Sequence, residues 1–297
     1  TPARGIRGGA IVDVDQASAS IQAAVEQAER SAGYEIGTAF VSLAGAEVSS
    51  HNSRGAVGVS GHQSIDQDDI DRALDAAHAI DIGHNREVLH IIPRSFVVDG
   101  QEGIRSPVGM HGFRLEVEAH IITAAKTAMQ NLTKCVESAG VMVEQFVVNP
   151  LASAEIALTE AERELGVVTC DIGGGTTDLA VFIEGNVWHT AVLAVGGQYI
   201  TSDIAQGMRL PHDVAETVKI EHGAVSSEVD PSATFSVRPF GHEDAIEISG
   251  ADLAEIIEPR AEELFDLLLQ EVRRSSYGGL LPAGVVLAGG TAMLPGI

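Results

Sequence analysis

The sequence predicts an α/β protein whose alternation of strands and helices is interrupted by two β-rich insertions. Three observations carry this reading. Apolar runs of strand length alternate with helix-spaced ones along most of the 297 residues. Three glycine turns, DIGGGTTD (Asp171 to Asp178), Gly196-Gly197 and Gly289-Gly290, each follow an apolar, strand-like run. Strand-like segments crowd together early in the chain and again after residue 222, where the alternation stops.

The elements follow in order. Ile21, Ala24, Val25, Ala28 and Ala32 have helical spacing and predict a helix over residues 15–32. Residues 36–43 read as a strand. Asp66, with Asp69 three residues on, reads as the cap of a helix that turns Ile70, Ala73, Leu74 and Ala77 to one face. Residues 87–98 are strand-like. In RLEVEAHI (114–121), Leu115, Val117, Ala119 and Ile121 face one way, and the charged residues with His120 face the other. A helix is expected over 124–138 and a strand over 141–148, and Pro150 then starts a helix running to about Glu164. Three strands are expected at 166–172, 179–183 and 187–194, followed by helices at 200–208 and 211–222. Ser249, with Asp252 three residues later, has the pattern of a capping box and starts a long helix to about Arg274. Pro259 lies inside that helix and is expected to kink it. Residues 285–288 form the last strand.

Composition narrows the function classes. The net charge is -24, from 42 acidic and 18 basic residues, which argues against a nucleic-acid partner. The same charge disfavours direct adsorption to an anionic membrane and favours solubility. No apolar run approaches the roughly 20 residues that a membrane span needs. Cys135 and Cys170 are too few and too separated for a disulfide framework, so a reducing cytoplasm is the simpler reading.

A triple glycine between two strands is compatible with a plain hairpin turn. The flanking groups of DIGGGTTD point further. Residues without side chains let backbone N–H groups approach an anion, and Thr176 and Thr177 add hydroxyl donors. Asp171 and Asp178 would repel a bare phosphate but suit a magnesium ion bridging to phosphates, usually through water. No lysine follows the glycines, so the loop is not a Walker A loop, and the chain continues as a strand, so it is not a Rossmann fingerprint.

With these residues in view, the chain resembles the actin-like ATPase superfamily and, within it, the FtsA family of bacterial cell-division proteins. DIGGGTTDLAVF resembles the second phosphate loop of the superfamily, and VVLAGGTAMLPGI its adenosine loop. Four longer stretches resemble the FtsA family in particular: residues 88–123, 131–140, 157–182 and 253–268. The resemblance implies an actin-like, ribonuclease H-like duplicated fold. Subdomain 1A would comprise residues 1–47 and 123–165, and the inserted subdomain 1C residues 48–122. Subdomain 2A would comprise 166–197 and 276–297, and 2B residues 198–275. It also implies a phosphate-binding hairpin upstream of GIRGG and further helices with an amphipathic membrane helix beyond Ile297.

By residue, the resemblance implies ATP with Mg2+ in the cleft between 1A and 2A. Asp171 would order the water shell of the metal. Gly173, Gly174, Gly175, Thr176 and Thr177 would wrap the phosphates, and Gly197 would approach them from 2A. Glu216 and Lys219 would lie near the ribose and base, the alternative being a surface i, i+3 ion pair, which is worth little. Gly289, Gly290, Thr291 and Met293 would border the adenosine. Asn149 stands where the superfamily carries the residue that positions the attacking water; it is no base, so at most weak hydrolysis is implied. The alternative is that Asn149 only starts the turn before Pro150.

The implied role is an adaptor on the inner face of the cell membrane at the division septum. It would self-associate into filaments through 1C and other subdomains, recruit septal synthesis proteins, and receive the FtsZ C-terminal peptide on 2B. Arg260 is the candidate anchor for that peptide, against the simpler reading of an Arg260–Glu263 pair. Two other functions stay open at this point: a small-molecule kinase of the same superfamily, and an actin-like type IV pilus assembly protein.

Overall fold

The computed structural model describes residues 1–45, 47–59, 64–79, 82–225, 233–241, 244–275 and 277–297. It opens with a two-stranded hairpin, β1 (Ile6–Arg7) and β2 (Ala10–Ile11), followed by helix α1 (Val14–Ala32). The Asp13 carboxylate caps α1 by accepting from the Gln16 amide at 3.0 Å, and Gly33 ends it in the left-handed conformation. Strand β3 (Thr38–Leu43) then pairs in parallel with β8 (Met142–Val148), and helix α3 (Lys126–Ser138) leads into β8.

Between β3 and α3 lies an inserted sheet of four antiparallel strands in the order β4-β7-β5-β6. These are β4 (Val48–Gly58), β5 (Arg86–Val98), β6 (Gln101–Ile104) and β7 (Arg114–Ala125), with helix α2 (Gln67–His78) across one face. Asp66 and Asp69 form the expected capping box on α2. Leu115, Val117, Ala119 and Ile121 are fully buried and pack with Ile70, Ala73, Ala77 and Phe96 in a core of their own. His120 does face the other way, yet it too is fully buried, because that face is covered by a later strand. The long strand β4 was not expected. Its sequence, VSSHNSRGAVG, is mostly polar and lacks the alternation that marks a strand. Gly55 is the reason α2 can lie so close to β4: a methyl group there would overlap the backbone of Ala73 and Ala77.

After β8 the expected single helix is two. Helix α4 (Asn149–Ala157) ends at Leu158, and Thr159 starts α5 (Glu160–Leu165). The cause is a second capping box. The Glu162 carboxylate accepts from the Thr159 amide at 2.7 Å while the Thr159 hydroxyl accepts from the Glu162 amide at 3.3 Å. Next comes the central sheet of the second half, β9 (Val167–Ile172), β10 (Thr177–Ile183) and β11 (Asn186–Leu193), in antiparallel succession. The last strand, β14 (Val285–Ala288), pairs in parallel with β9, giving the order β11-β10-β9-β14.

Helices α6 (Gly197–Gly207) and α7 (His212–His222), the ribbon β12 (Thr234–Val237) with β13 (Ile246–Ser249), and helix α8 (Gly250–Arg274) complete the chain. Ser249 caps α8 by accepting from the Asp252 amide, which is half of the expected capping box. Helix α8 runs through Pro259 without interruption. Its two halves serve two cores. Leu253 and Ile257 pack with Ile200, Ile204 and Phe235, whereas Leu264 and Leu268 pack on Val168, Cys170, Leu179 and Val181 of the central sheet. Both cysteines are buried and free, and burial pushes the Cys170 thiol up to about 12, so it is unreactive.

The close approach at Gly55 gives a test. Gly55→Ala is expected to cost about 2 kcal/mol or more, the range of overpacking in a tight contact. Gly58→Ala, at the open end of the same strand where the nearest atom lies at 4.0 Å, is expected to be nearly neutral. Urea unfolding midpoints of the two variants, followed by circular dichroism, check this.

Candidate functional site

The three glycine turns meet at one place. Strand β9 delivers Asp171 to its C-terminal end, and the loop 173–176 closes on itself through Gly173 N–H donating to Thr176 O at 2.9 Å. The second turn docks on the first: Gly197 N–H donates to Gly173 O at 2.9 Å and Gln198 N–H to Gly174 O at 2.8 Å. The third is tied in by the Thr291 hydroxyl, which donates to Gly173 O at 3.0 Å. A side chain on Gly196 would strike the carbonyls of Gly173 and Gly174, and one on Gly197 would strike Thr291. Gly289 takes a left-handed φ of +88, and a methyl there would overlap both the Asp171 carboxylate and the Ile172 carbonyl. The hairpin tip at Gly8 lies against Gly175. Helix α6 starts at Gly197, so its N-terminal partial positive charge points into the meeting place.

Beside the turns is a cavity of about 280 Å³ lined by Gly174, Glu216, Lys219, Ile220, Gly290, Thr291, Met293, Leu294 and Pro295. Lys219 forms its inner wall. The ammonium donates to Glu216 Oε2 at 2.8 Å, to Thr201 Oγ1 at 2.9 Å and to the Gly197 carbonyl at 3.2 Å, which ties α7 to the first turn of α6. The Thr201 hydroxyl also donates to Glu216. Burial pushes the Glu216 carboxyl up, but the hydrogen bonds from Lys219 and Thr201 and the Lys219 charge outweigh it and hold it below the usual range.

The acidic side of the site is buried. Asp178 is 1% exposed. Its Oδ2 accepts from Thr176 Oγ1 at 3.1 Å and from Asn149 Nδ2 at 3.2 Å, and its Oδ1 is buried without a partner. Burial pushes its carboxyl up to about 6, with the nearby Asp171 charge adding in the same direction against the two hydrogen bonds. Asn149 in turn accepts from the Ser42 hydroxyl, and Ser153 on α4 donates to Asp171. Among the described residues no three acidic, histidine or cysteine side chains converge as a metal cage. A divalent ion beside Asp171 would therefore be held largely by water and by ligand oxygens.

A model of the SHS2 domain inserted in FtsA matches residues 45–123, and a model of the cell division protein FtsA matches residues 168–297. The cell division protein FtsA of Pseudomonas aeruginosa is 44% identical over 296 residues, covering 99% of this chain and 71% of its own length. The chain belongs to the FtsA family of cell division proteins. The FtsA proteins of Bacillus subtilis and Escherichia coli K12 are 38% and 36% identical, with 68% and 72% of their lengths covered. A PilM-PilN type IV pilus biogenesis complex shares the fold, with a TM-score of 0.62 over 98% of this chain and 73% of that one, at 18% identity. That similarity is of fold alone, and the identity to FtsA proteins favours a cell-division role over the pilus and kinase alternatives.

The chain thus has the actin-like α/β fold with an SHS2 domain inserted. Its structure brings Gly174, Glu216, Lys219, Gly290, Thr291 and Met293 around one cavity, with Gly173, Gly197 and Gly289 immediately behind it. Asp171 sits under Gly289, and Asn149 lies further in, against Asp178. Thr177 turns its hydroxyl away, donating to the Val195 carbonyl at 2.8 Å. Arg260 stands apart from the cavity. Its Nε donates to Asp203 Oδ2 at 2.6 Å and its Nη2 to Asp203 Oδ1 at 3.2 Å, and it also pairs with Glu263. Ser153, Thr201, Ile220 and Leu294 belong to the site's surroundings and were not foreseen. Ser153 and Thr201 come from α4 and α6, whereas Ile220 and Leu294 adjoin Lys219 and Met293.

The buried Asp178 gives a pH test. Its raised pKa means that the folded state favours the protonated form. The contribution is fully present below the unfolded pKa of 3.8 and is lost as pH rises through about 6. Asp178→Asn removes that titration. The stability of the variant relative to the native chain should therefore rise between pH 4 and pH 7, by about 3 kcal/mol at most. Urea unfolding at stepped pH without nucleotide or metal is the measurement, and a constant difference would contradict it.

Proposed function

We propose that this chain is the nucleotide-holding body of a cell-division adaptor that takes ATP with Mg2+ between its two halves. The observation that carries the reading is the crossing of the turns at Gly173, Gly196, Gly197 and Gly289, packed too closely for side chains, beside a cavity of about 280 Å³ and next to a helix N-terminus and Asp171. The residues fit such a ligand. The amides of Gly173 and Gly197 hold the loops together and the Thr176 hydroxyl is spent on Asp178, which leaves the amides of Gly174 and Gly175 as candidates to face phosphate oxygens. The buried, unpartnered Asp178 Oδ1 is the kind of atom that an ordered water or a hydrated cation satisfies. Met293, Ile220 and Leu294 offer an apolar wall for a base, and Glu216 offers an acceptor for a ribose hydroxyl.

A bound magnesium ion would neutralise phosphate charge and polarise the terminal phosphoryl group. The chain's own residues do less than a vigorous ATPase requires. Asn149 has no basic group, and its amide is committed to Asp178. Ser153 orients Asp171, and Lys219 fixes α7 against the start of α6. The reading is a nucleotide-gated structural protein with at most weak ATPase activity. Its units would be 1A (1–47, 123–165), 1C (48–122), 2A (166–197, 276–297) and 2B (198–275).

Partners follow from the same reading. Filament formation through 1C and other subdomains, binding of the FtsZ C-terminal peptide on 2B, and attachment to the inner face of the membrane at the septum by an amphipathic helix outside this chain are parts of the proposal. Among the described residues no helix is long and apolar enough to cross a membrane.

Two outcomes test the reading. Asp171→Ala should weaken ATP-Mg2+ binding at least tenfold in isothermal calorimetry, and equal affinity would remove Asp171 from the site. For the FtsZ peptide, Arg260 is held by Asp203, so a peptide anchored on Arg260 competes with that carboxylate. Arg260→Glu should lower peptide affinity by about 2 kcal/mol, and Asp203→Asn, which releases the guanidinium, should raise it. Fluorescence anisotropy with the labelled peptide reads both; no change in either variant moves the anchor elsewhere.

A further inference from the structure

The inserted sheet touches the second half of the protein along β11, the edge strand of the central sheet. Ser50 of β4 donates to the Thr190 carbonyl at 2.7 Å. His120 of β7 is clasped between Asn52 Oδ1 at 2.7 Å and Thr190 Oγ1 at 2.9 Å. Arg94 of β5 lies with its guanidinium carbon 3.9 Å from the centre of the Trp188 ring, and its Nη2 donates to the Tyr277 hydroxyl at 3.0 Å. Trp188 reaches this position through a bulge: Val181 pairs with His189 and Phe182 with Val187, so Trp188 is passed over. Bulges re-aim side chains in this way.

The seam is built to part. The core of the insertion contains no residue of β11, and Ile92 is the insertion residue that packs on the apolar cluster of the other half. What remains is polar and incompletely satisfied. Arg94 Nε and Trp188 Nε1 are buried without partners. Arg94 is 5% exposed, and among the described residues no carboxylate lies within ion-pair distance of it. Burial, with the neighbouring His189, Arg94 and His51, holds the His120 pKa down at about 3, so it is neutral in place. Water would satisfy every one of these groups on separation, so opening regains much of what closure loses.

The seam is also connected to the glycine turns. Beyond Leu193, β11 runs straight into Val195, Gly196 and Gly197; the Val195 carbonyl is held by Thr177 and the Gly197 amide by Gly173. We infer that Arg94 and His120 on the insertion, with Trp188 and Thr190 on β11, form a reversible latch whose closure is coupled through β11 to what occupies the cavity beside the glycine turns. By linkage, an occupant that shifts Gly196-Gly197 biases the latch, and the latch biases the occupant's affinity by the same factor. This coupling rests on the nucleotide reading of the cleft.

The single tryptophan of the chain is Trp188, so its emission reports on the latch directly. The experiment titrates the chain with ATP-Mg2+, follows Trp188 emission and iodide quenching, and measures affinity separately by calorimetry. Amide exchange is followed in parallel without nucleotide. Binding heat with a shift in Trp188 emission, and affinity altered about fivefold or more in Thr190→Val and Arg94→Ala, supports the inference. Binding heat with an unchanged Trp188 and native affinity in both variants overturns it. Absence of binding heat defeats the nucleotide reading and the coupling with it. The latch itself is then judged by exchange: β11 and β4 amides exchanging faster than those of β9 support it, and equal protection overturns it. Thr190→Val keeps the shape of the site, so the test survives if Arg94→Ala fails to fold.

Discussion

Three backbone turns can share one point only if none of them carries a side chain there. That constraint governs the site. Gly289 crosses directly under Asp171, Gly196 crosses over Gly173 and Gly174, and the amides of Gly197 and Gln198 bond across the gap. The turns come from widely separated parts of the sequence, so the crossing also fixes the strands that deliver them. Strand β14 must lie parallel to β9 to bring Gly289 to Asp171, and β11 must end beside β10 to bring Gly196 to Gly173. The antiparallel succession β9, β10, β11 and the late return of β14 are the arrangement that satisfies this.

Around that point the group formed by α6, α7, β12, β13 and the first half of α8 is secured twice. Lys219 ties α7 to the first turn of α6 at the cavity wall, and Arg260 ties α8 to the middle of α6 through Asp203. Helix α8 continues past Pro259 from the core of this group onto the central sheet. A proline lacks the donor that a helix interior uses, so the helix is weakest between its two packed halves. This group is therefore anchored at the glycine turns and, through α8, at Leu264 and Leu268, with its most compliant point between them.

Much of this was legible in the residues. The alternation of apolar runs, the capping pair at Asp66 and Asp69, and the glycine turns after buried strands come from local rules that depend on neighbours in sequence. The failures have a common cause. Strand β4 is polar because its ladder to β7 and its contact with β11 replace the apolar face that a strand normally shows. The split of the helix after Pro150 depends on the reciprocal bonds of Thr159 and Glu162, which compete with helical continuation within one turn. At the site, the glycines and Asp171 are contiguous and could be read. Ser153 and Thr201 reach their partners across 18 and 15 residues, and the burial of Asp178 exists only once α4 and β10 are in place.

The inserted sheet begins and ends at one spot. Val48 pairs with Ala124 at the base of the β4–β7 ladder, and the Ala125 amide donates to the Glu47 carbonyl at 3.2 Å. The parallel pair β3 and β8 flanks this base, so the two strands can meet only after a long stretch of chain has been drawn together. Closing an open loop on the order of 80 residues costs about 4 kcal/mol in chain entropy. Once the insertion has formed its own sheet and core, that loop is already shut, and β3 and β8 are tethered at short range. Folding of the insertion would thus lower the entropy cost of bringing the host strands together. The same geometry makes the insertion transferable, since removing it would leave two chain ends already one hydrogen bond apart.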